Sequence, residues 1–204
     1  MAKLARAEHW NTSGAVSYRL LGSMGIELGM DYSKAPVPNH FYFADYLSVD
    51  EDSSQVMFTF GKLDKPLTDQ LRSKVEVYFN PAMFIKQFWA STREMHEKVK
   101  ALAKARGFAA VPQAALLSAP KVQTFQSNQV SMLMTEGECL ADFFYISPKD
   151  LYYKPQKNEK IDVEALVRII LSPQLILSLL DRSQSVADNL LPIYGDKNAT
   201  LESK

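Results

Sequence analysis

Residues 44–63, ADYLSVDEDSSQVMFTFGKL, lie without a gap over residues 127–146, SNQVSMLMTEGECLADFFYI. Leu47 meets Val130, Val49 meets Met132, Val56 meets Cys139 and Phe60 meets Phe143. The polar tip Asp50–Ser54 falls on Leu133–Gly137. A second block matches after a loop of different length: VEVYFNP, Val75 to Pro81, lies over VRIILSP, Val167 to Pro173. Duplicated units take insertions in loops and spare their elements, which is the pattern here.

Each block has a local physical reading. Val56, Phe58 and Phe60 alternate with Met57 and Thr59, and Val75, Val77 and Phe79 alternate with Glu76 and Tyr78. A period of two marks half-buried strands. Leu166 to Leu171 is more uniformly apolar, which predicts a strand covered on both faces. Asn80 and Ser172 are N-cap residues, and Pro81 and Pro173 stand at the first helical position, where a missing N–H costs nothing. The first helix is predicted from Pro81 to Arg106, with Ile85, Phe88, Thr92, Met95, Val99 and Leu102 on one face and Gly107 as its stop. At 1.5 Å per residue it outruns a small sheet. Its last turns, Val99 to Leu102, are therefore expected against the sister unit or another subunit. The second helix is expected to bury Ile176, Leu179, Leu180, Ala187 and Leu190 and to end before Pro192.

The fold expected is α+β: two pseudo-symmetric β-β-β-α units, each an antiparallel sheet with one long helix. The units span residues 41–107 and 122–192. Residues 1–40 form an N-terminal extension, 108–121 an apolar linker packed on the protein, and 193–204 a tail. Asn11-Thr12-Ser13 offers a cap for a helix through Leu28, although each interior glycine in that stretch costs about 1 kcal/mol against alanine.

These residues resemble a short prokaryotic family known only as domain of unknown function 3467. The second unit carries the likeness: Phe125-Gln126-Ser127-Asn128, the strand with Ala141-Asp142-Phe143, and Val167 to Pro173 opening a helix. The first unit departs from it, with Thr59-Phe60-Gly61 and Asn80-Pro81 at the matching steps. The resemblance implies the architecture and carries no activity with it.

Composition narrows the chemistry. The chain has 204 residues, 47% hydrophobic and 23% charged, with 23 Lys plus Arg against 23 Asp plus Glu. A nucleic-acid grip usually needs a basic excess, because phosphate neutralisation supplies most of the affinity. The lone Cys139 excludes an internal disulfide and a thiolate zinc site, and it reads as a buried small hydrophobe. His9, His40 and His96 do not sit at metal spacing, and His96 reads as a solvated or boundary residue beside the Met95 seam. No phosphate-binding glycine motif and no nucleophile elbow occurs. Asp50-Glu51-Asp52 reads as a solvated hairpin tip rather than a calcium loop. No catalytic, cofactor or metal site is assigned. No stretch of about 18 uninterrupted apolar residues occurs, so no membrane span is expected. A cytoplasmic location follows by elimination.

The reading is a non-enzymatic interaction or assembly subunit that meets a protein partner or its own copies. Tyr152, Tyr153, Lys154, Trp10 and Tyr18 are the expected partner-facing residues, because the repeat does not require them. Nucleic acid is the less favoured partner: Phe41, Tyr42, Phe43 and Tyr46, then Phe143, Phe144, Tyr145, Tyr152 and Tyr153, would supply stacking rings in the manner of whirly or PUR-type single-strand binders. Alternating aromatics are more commonly core. A chaperone or adaptor holding an extended peptide by strand addition is a further alternative.

Overall fold

A computed structural model describes residues 16–18, 28–30, 40–63, 71–112, 119–134, 137–150, 153 and 164–195. They form an α+β protein with two four-stranded sheets. The strands are β1 (Val16–Tyr18), β2 (Leu28–Met30), β3 (Phe41–Phe43), β4 (Tyr46–Glu51), β5 (Val56–Leu63), β6 (Leu71–Phe79), β7 (Val122–Gln126), β8 (Gln129–Met134), β9 (Cys139–Tyr145) and β10 (Glu164–Leu171). The helices are α1 (Pro81–Met83), a π-helical segment (Phe84–Trp89), α2 (Ala90–Arg106) and α3 (Pro173–Tyr194).

The first sheet runs β4-β5-β6-β7 and the second β3-β10-β9-β8. Three strands of each are antiparallel, as the alternating pattern predicts. The fourth is parallel and comes from the other segment: β7 pairs with β6, and β3 pairs with β10. The chain changes sheets within one residue. The Ala44 N–H donates to the Ile170 carbonyl at 3.1 Å, and the next N–H, Asp45, donates to Gly61 at 2.9 Å. Likewise Ser127 donates to Tyr78 at 2.9 Å and Asn128 to Phe144 at 3.2 Å. Each corner is held by the same device. Asp45 Oδ2 accepts the Leu63 N–H at 3.3 Å, and Asn128 Oδ1 accepts the Ile146 N–H at 2.8 Å. Sheet membership therefore does not follow the segment boundaries at 41–107 and 122–192.

One core joins the sheets. Phe143 of β9 lies 6.2, 5.8 and 6.2 Å from the rings of Phe58, Phe60 and Phe79. Phe84 and Phe88 of the π-helical segment close over Phe58 at 6.0 and 4.7 Å. Arg182 of α3 donates to the Leu47 carbonyl on β4 and, at 3.1 Å, to the Val111 carbonyl. Val111 is thus tied to α3, its N–H also donating to Ser178 Oγ at 2.6 Å.

The helix starts agree with the sequence. Asn80 Oδ1 accepts the Ala82 N–H at 3.0 Å and Ser172 Oγ the Leu175 N–H at 3.3 Å. Gly107 ends α2 at φ 70°, a left-handed conformation that glycine adopts without steric cost. Four expectations change. His96 and Ala103 are buried in place of Met95 and Leu102. A π turn takes an extra residue and so delays the buried face by one position. α3 continues through Pro192 to Tyr194, since a proline in the last turn removes a single helical bond. Residues 16–18 and 28–30 pair as antiparallel strands where a helix was anticipated, in keeping with the glycines between and around them. On β10, Val167, Ile169 and Leu171 are buried while Leu166, Arg168 and Ile170 remain partly exposed, so that strand is covered on one face only.

Candidate interaction surface

The half-covered β10 defines a surface. Strand registers place Leu133, Leu140, Ile170 and Phe43 in one row across the outer face of the second sheet. The adjacent row is Ser131, Asp142, Arg168 and Phe41. Phe41 is 51% and Phe43 55% exposed, while Leu133, Leu140 and Ile170 are half-buried. Toward the far end of the face, Phe144 and Gln129 are buried. At the matching positions of the first sheet the row reads Asp50, Met57, Tyr78 and Gln126. Its Tyr78 hydroxyl donates to Glu76 at 2.7 Å. Burial and the adjacent Glu76 carboxylate push that hydroxyl's pKa up to about 12. The matched row is therefore mostly polar on the first outer face and apolar on the second.

The described charges beside the apolar row cancel. Arg168 donates from Nε to Asp142 Oδ1 and from NH2 to Asp142 Oδ2, both at 2.6 Å. This bidentate pair holds the guanidinium pKa above its usual value. The guanidinium carbon also sits 5.6 Å from the centre of the Phe41 ring, within cation–π range.

A second feature lies on the seam between α2 and α3. His96 is buried, and its Nε2 lies 2.6 Å from Asp181 Oδ1. The Trp89 ring meets it edge-on at 6.0 Å. A groove of about 450 Å³ opens here, lined also by Arg93, Glu94, Glu97 and Gln184. The imidazole expected at a solvated boundary is thus a buried cross-helix link. The carboxylate orients the ring, and the pair fastens the two helices to each other.

Among the described residues no group of three or more His, Cys, Asp and Glu side chains has metal-site geometry. No described helix is long and apolar enough to cross a membrane. Cys139 is fully buried, and burial followed by the Asp142 charge pushes its thiol up to about 12. At pH 8 roughly one thiol in ten thousand would be ionised. Dithionitrobenzoate should leave the native protein unlabelled for hours and label one thiol per chain in denaturant. Prompt native labelling would contradict the buried placement.

Of the residues expected to face a partner, Tyr153 is exposed at 52%. Tyr18 lies on β1 opposite Leu28. Trp10, Tyr152 and Lys154 lie outside the described residues. Among the ring candidates for stacking, Tyr46, Phe143 and Phe144 are buried, whereas Phe41 and Phe43 are not. The signal for that pair is present in the sequence: apolar residues at both phases of Leu166–Leu171, on a strand whose partner strand is also aromatic at both phases. Compared with known protein families, with curated proteins and with solved structures, this chain matches none.

Proposed function

We propose that the chain is a non-enzymatic assembly subunit that associates with its own copies through the outer face of the second sheet. The observation that carries this reading is the row Leu133–Leu140–Ile170–Phe43, apolar where the equivalent row of the first sheet is mostly polar. A sheet face of this kind folds adequately with polar residues, so its apolar side chains call for another surface. Charge favours a second copy. The face is neutral, with Arg168 already matched to Asp142. It can meet itself without opposing like charges, and within its two described rows the one cation, Arg168, is already paired.

Size sets the strength. Four strands at about 4.8 Å and three side-chain rows at about 6.7 Å make roughly 400 Å². A standard interface uses about 800 Å² per partner. The dimer is therefore weak, with a dissociation constant of about 10–100 μM. Sedimentation equilibrium from about 5 to 500 μM should show monomer–dimer exchange. Phe43→Glu, at a half-exposed position, should weaken it at least tenfold while leaving the far-UV spectrum unchanged. A monomer throughout, or a dimer indifferent to this substitution, would reject the proposal.

The duplication belongs to the same reading. Its support is the register. Leu47 faces Phe60 as Val130 faces Phe143, and Thr59 faces Glu76 as Asp142 faces Arg168. Across the parallel pairs Glu76 faces Thr124 as Arg168 faces Phe41. Two units that trade their first strands account for all of these pairings. The likeness to the domain of unknown function 3467 rests on the same segments. A cytoplasmic location accords with a protein whose lone thiol stays reduced and buried.

A further inference from the structure

The first sheet treats its two edges differently. β4 is closed: Arg182 of α3 donates to the Leu47 carbonyl, and Asn189 of α3 donates to Glu51 Oε1 at 2.7 Å. β7 forms the other edge. Successive residues of a strand turn their backbone groups to opposite sides. The Lys121 carbonyl accepts the Lys74 N–H and the Ser127 N–H donates to the Tyr78 carbonyl, each at 2.9 Å. Lys121 and Ser127 therefore turn toward β6, and by the register Gln123 and Phe125 do the same. Val122, Thr124 and Gln126 turn their N–H and C=O outward, where those groups have no backbone partner among the described residues.

The strand itself carries nothing that discourages pairing. Val122, Gln123, Thr124 and Gln126 are exposed, and Phe125 is half-buried. Edge strands are commonly guarded by a charge, a proline or a bulge. The sequence VQTFQ contains no charge and no proline, and its register with β6 is unbroken. Val, Thr and Phe also favour the extended conformation. An open edge of this kind is a template for one more strand.

We propose that β7 pairs antiparallel with β7 of a second copy about a two-fold axis at Thr124, joining two four-stranded sheets into one continuous sheet. That register sets Thr124 opposite its own counterpart and Val122 opposite the second copy's Gln126. All three outward-turned residues then lie in hydrogen-bonded pairs, which supplies roughly six backbone bonds. Charge favours a copy over a foreign segment. Strand addition selects foreign segments through side chains, and β7 presents no charge with which to read one. Self-pairing opposes no like charges: Lys121 falls opposite the second copy's Ser127, and Lys74 is paired with Glu76 at 2.7 Å. This edge belongs to the other sheet from the apolar row, so the contact does not rest on the association proposed above. Where both contacts form, alternating them extends the assembly beyond a dimer.

The test is copper-catalysed oxidation of two variants of the full chain, Thr124→Cys and Val122→Cys, both at exposed positions. Cys139 is buried and does not compete. About the two-fold, the Thr124 Cα atoms lie about 5.5 Å apart, within disulfide reach, whereas the Val122 Cα atoms lie about 14 Å apart, beyond it. Thr124→Cys should therefore give at least fivefold more disulfide-linked dimer than Val122→Cys. An equimolar mixture of Val122→Cys and Gln126→Cys should yield the mixed dimer, identified by mass. Both results should persist in a Phe43→Glu background. Equal cross-linking at 122 and 124 would reduce the contact to random collision and overturn the register. Loss of cross-linking in the Phe43→Glu background would mean that the second sheet alone brings copies together. No cross-linking at either position, with an unchanged far-UV spectrum, would reject the second copy and leave the edge to another protein's extended segment.

Discussion

Residues 1–112 produced alone, and residues 113–204 produced alone, should each fail to form a monomer with a cooperative unfolding transition. Equimolar refolding of the two should restore one. Each half would lose the edge strand supplied by the other, β7 from β6 or β3 from β10. It would also lose the opposite half of one continuous core, in which Phe143 contacts three rings of the first sheet. A domain's net stability is about 5–15 kcal/mol, and one buried phenylalanine is worth about 3–5 kcal/mol. Removing half a core exceeds that margin several times over. A half that associates with its own copy would still obey the rule, since the copy would supply the missing strand. Circular dichroism melts combined with sedimentation decide the point. A monomeric half melting cooperatively would show that the strand exchange is dispensable.

Phe58→Ala should destabilise the whole chain by about 3–5 kcal/mol. Phe58 is fully buried on the central strand β5. Its ring lies 4.7 Å from Phe88, 5.5 Å from Phe79, 6.0 Å from Phe84 and 6.2 Å from Phe143. Truncation leaves a cavity bounded by both sheets and the π-helical segment, and walls built from three elements relax poorly. With a urea slope of about 2 kcal/mol/M, the midpoint should fall by about 1.5–2.5 M. The slope itself should be unchanged, because the two sheets unfold as one. A second transition, or a shift below about 0.5 M, would show that the aromatic cluster does not couple them.

Much of this architecture is readable before any coordinates. Strands β5 and β6 follow the alternation of apolar residues, and the registers of β4-β5 and β8-β9 agree with the gapless overlay of the two segments. Asn80-Pro81 and Ser172-Pro173 mark both helix starts correctly. The candidate surfaces were less legible. Phe41 and Phe43 look like core residues in a list of alternating aromatics, yet they sit on an edge strand whose neighbour is covered on one side only. His96 looks like a surface histidine until the π turn rotates it inward toward Asp181.

Alternation, caps and helix stops are interactions between residues a few positions apart, so the sequence by itself determined the strands, the helices and the faces they would bury. Which sheet receives β3 and β7 was decided only by the tertiary structure. A backbone N–H bonds equally well to any extended strand, and nothing local distinguishes a chain's own sheet from its neighbour. The crossing at Ala44–Asp45 and Ser127–Asn128 settles that choice. Phe43 joins the apolar row of the second sheet only because of it.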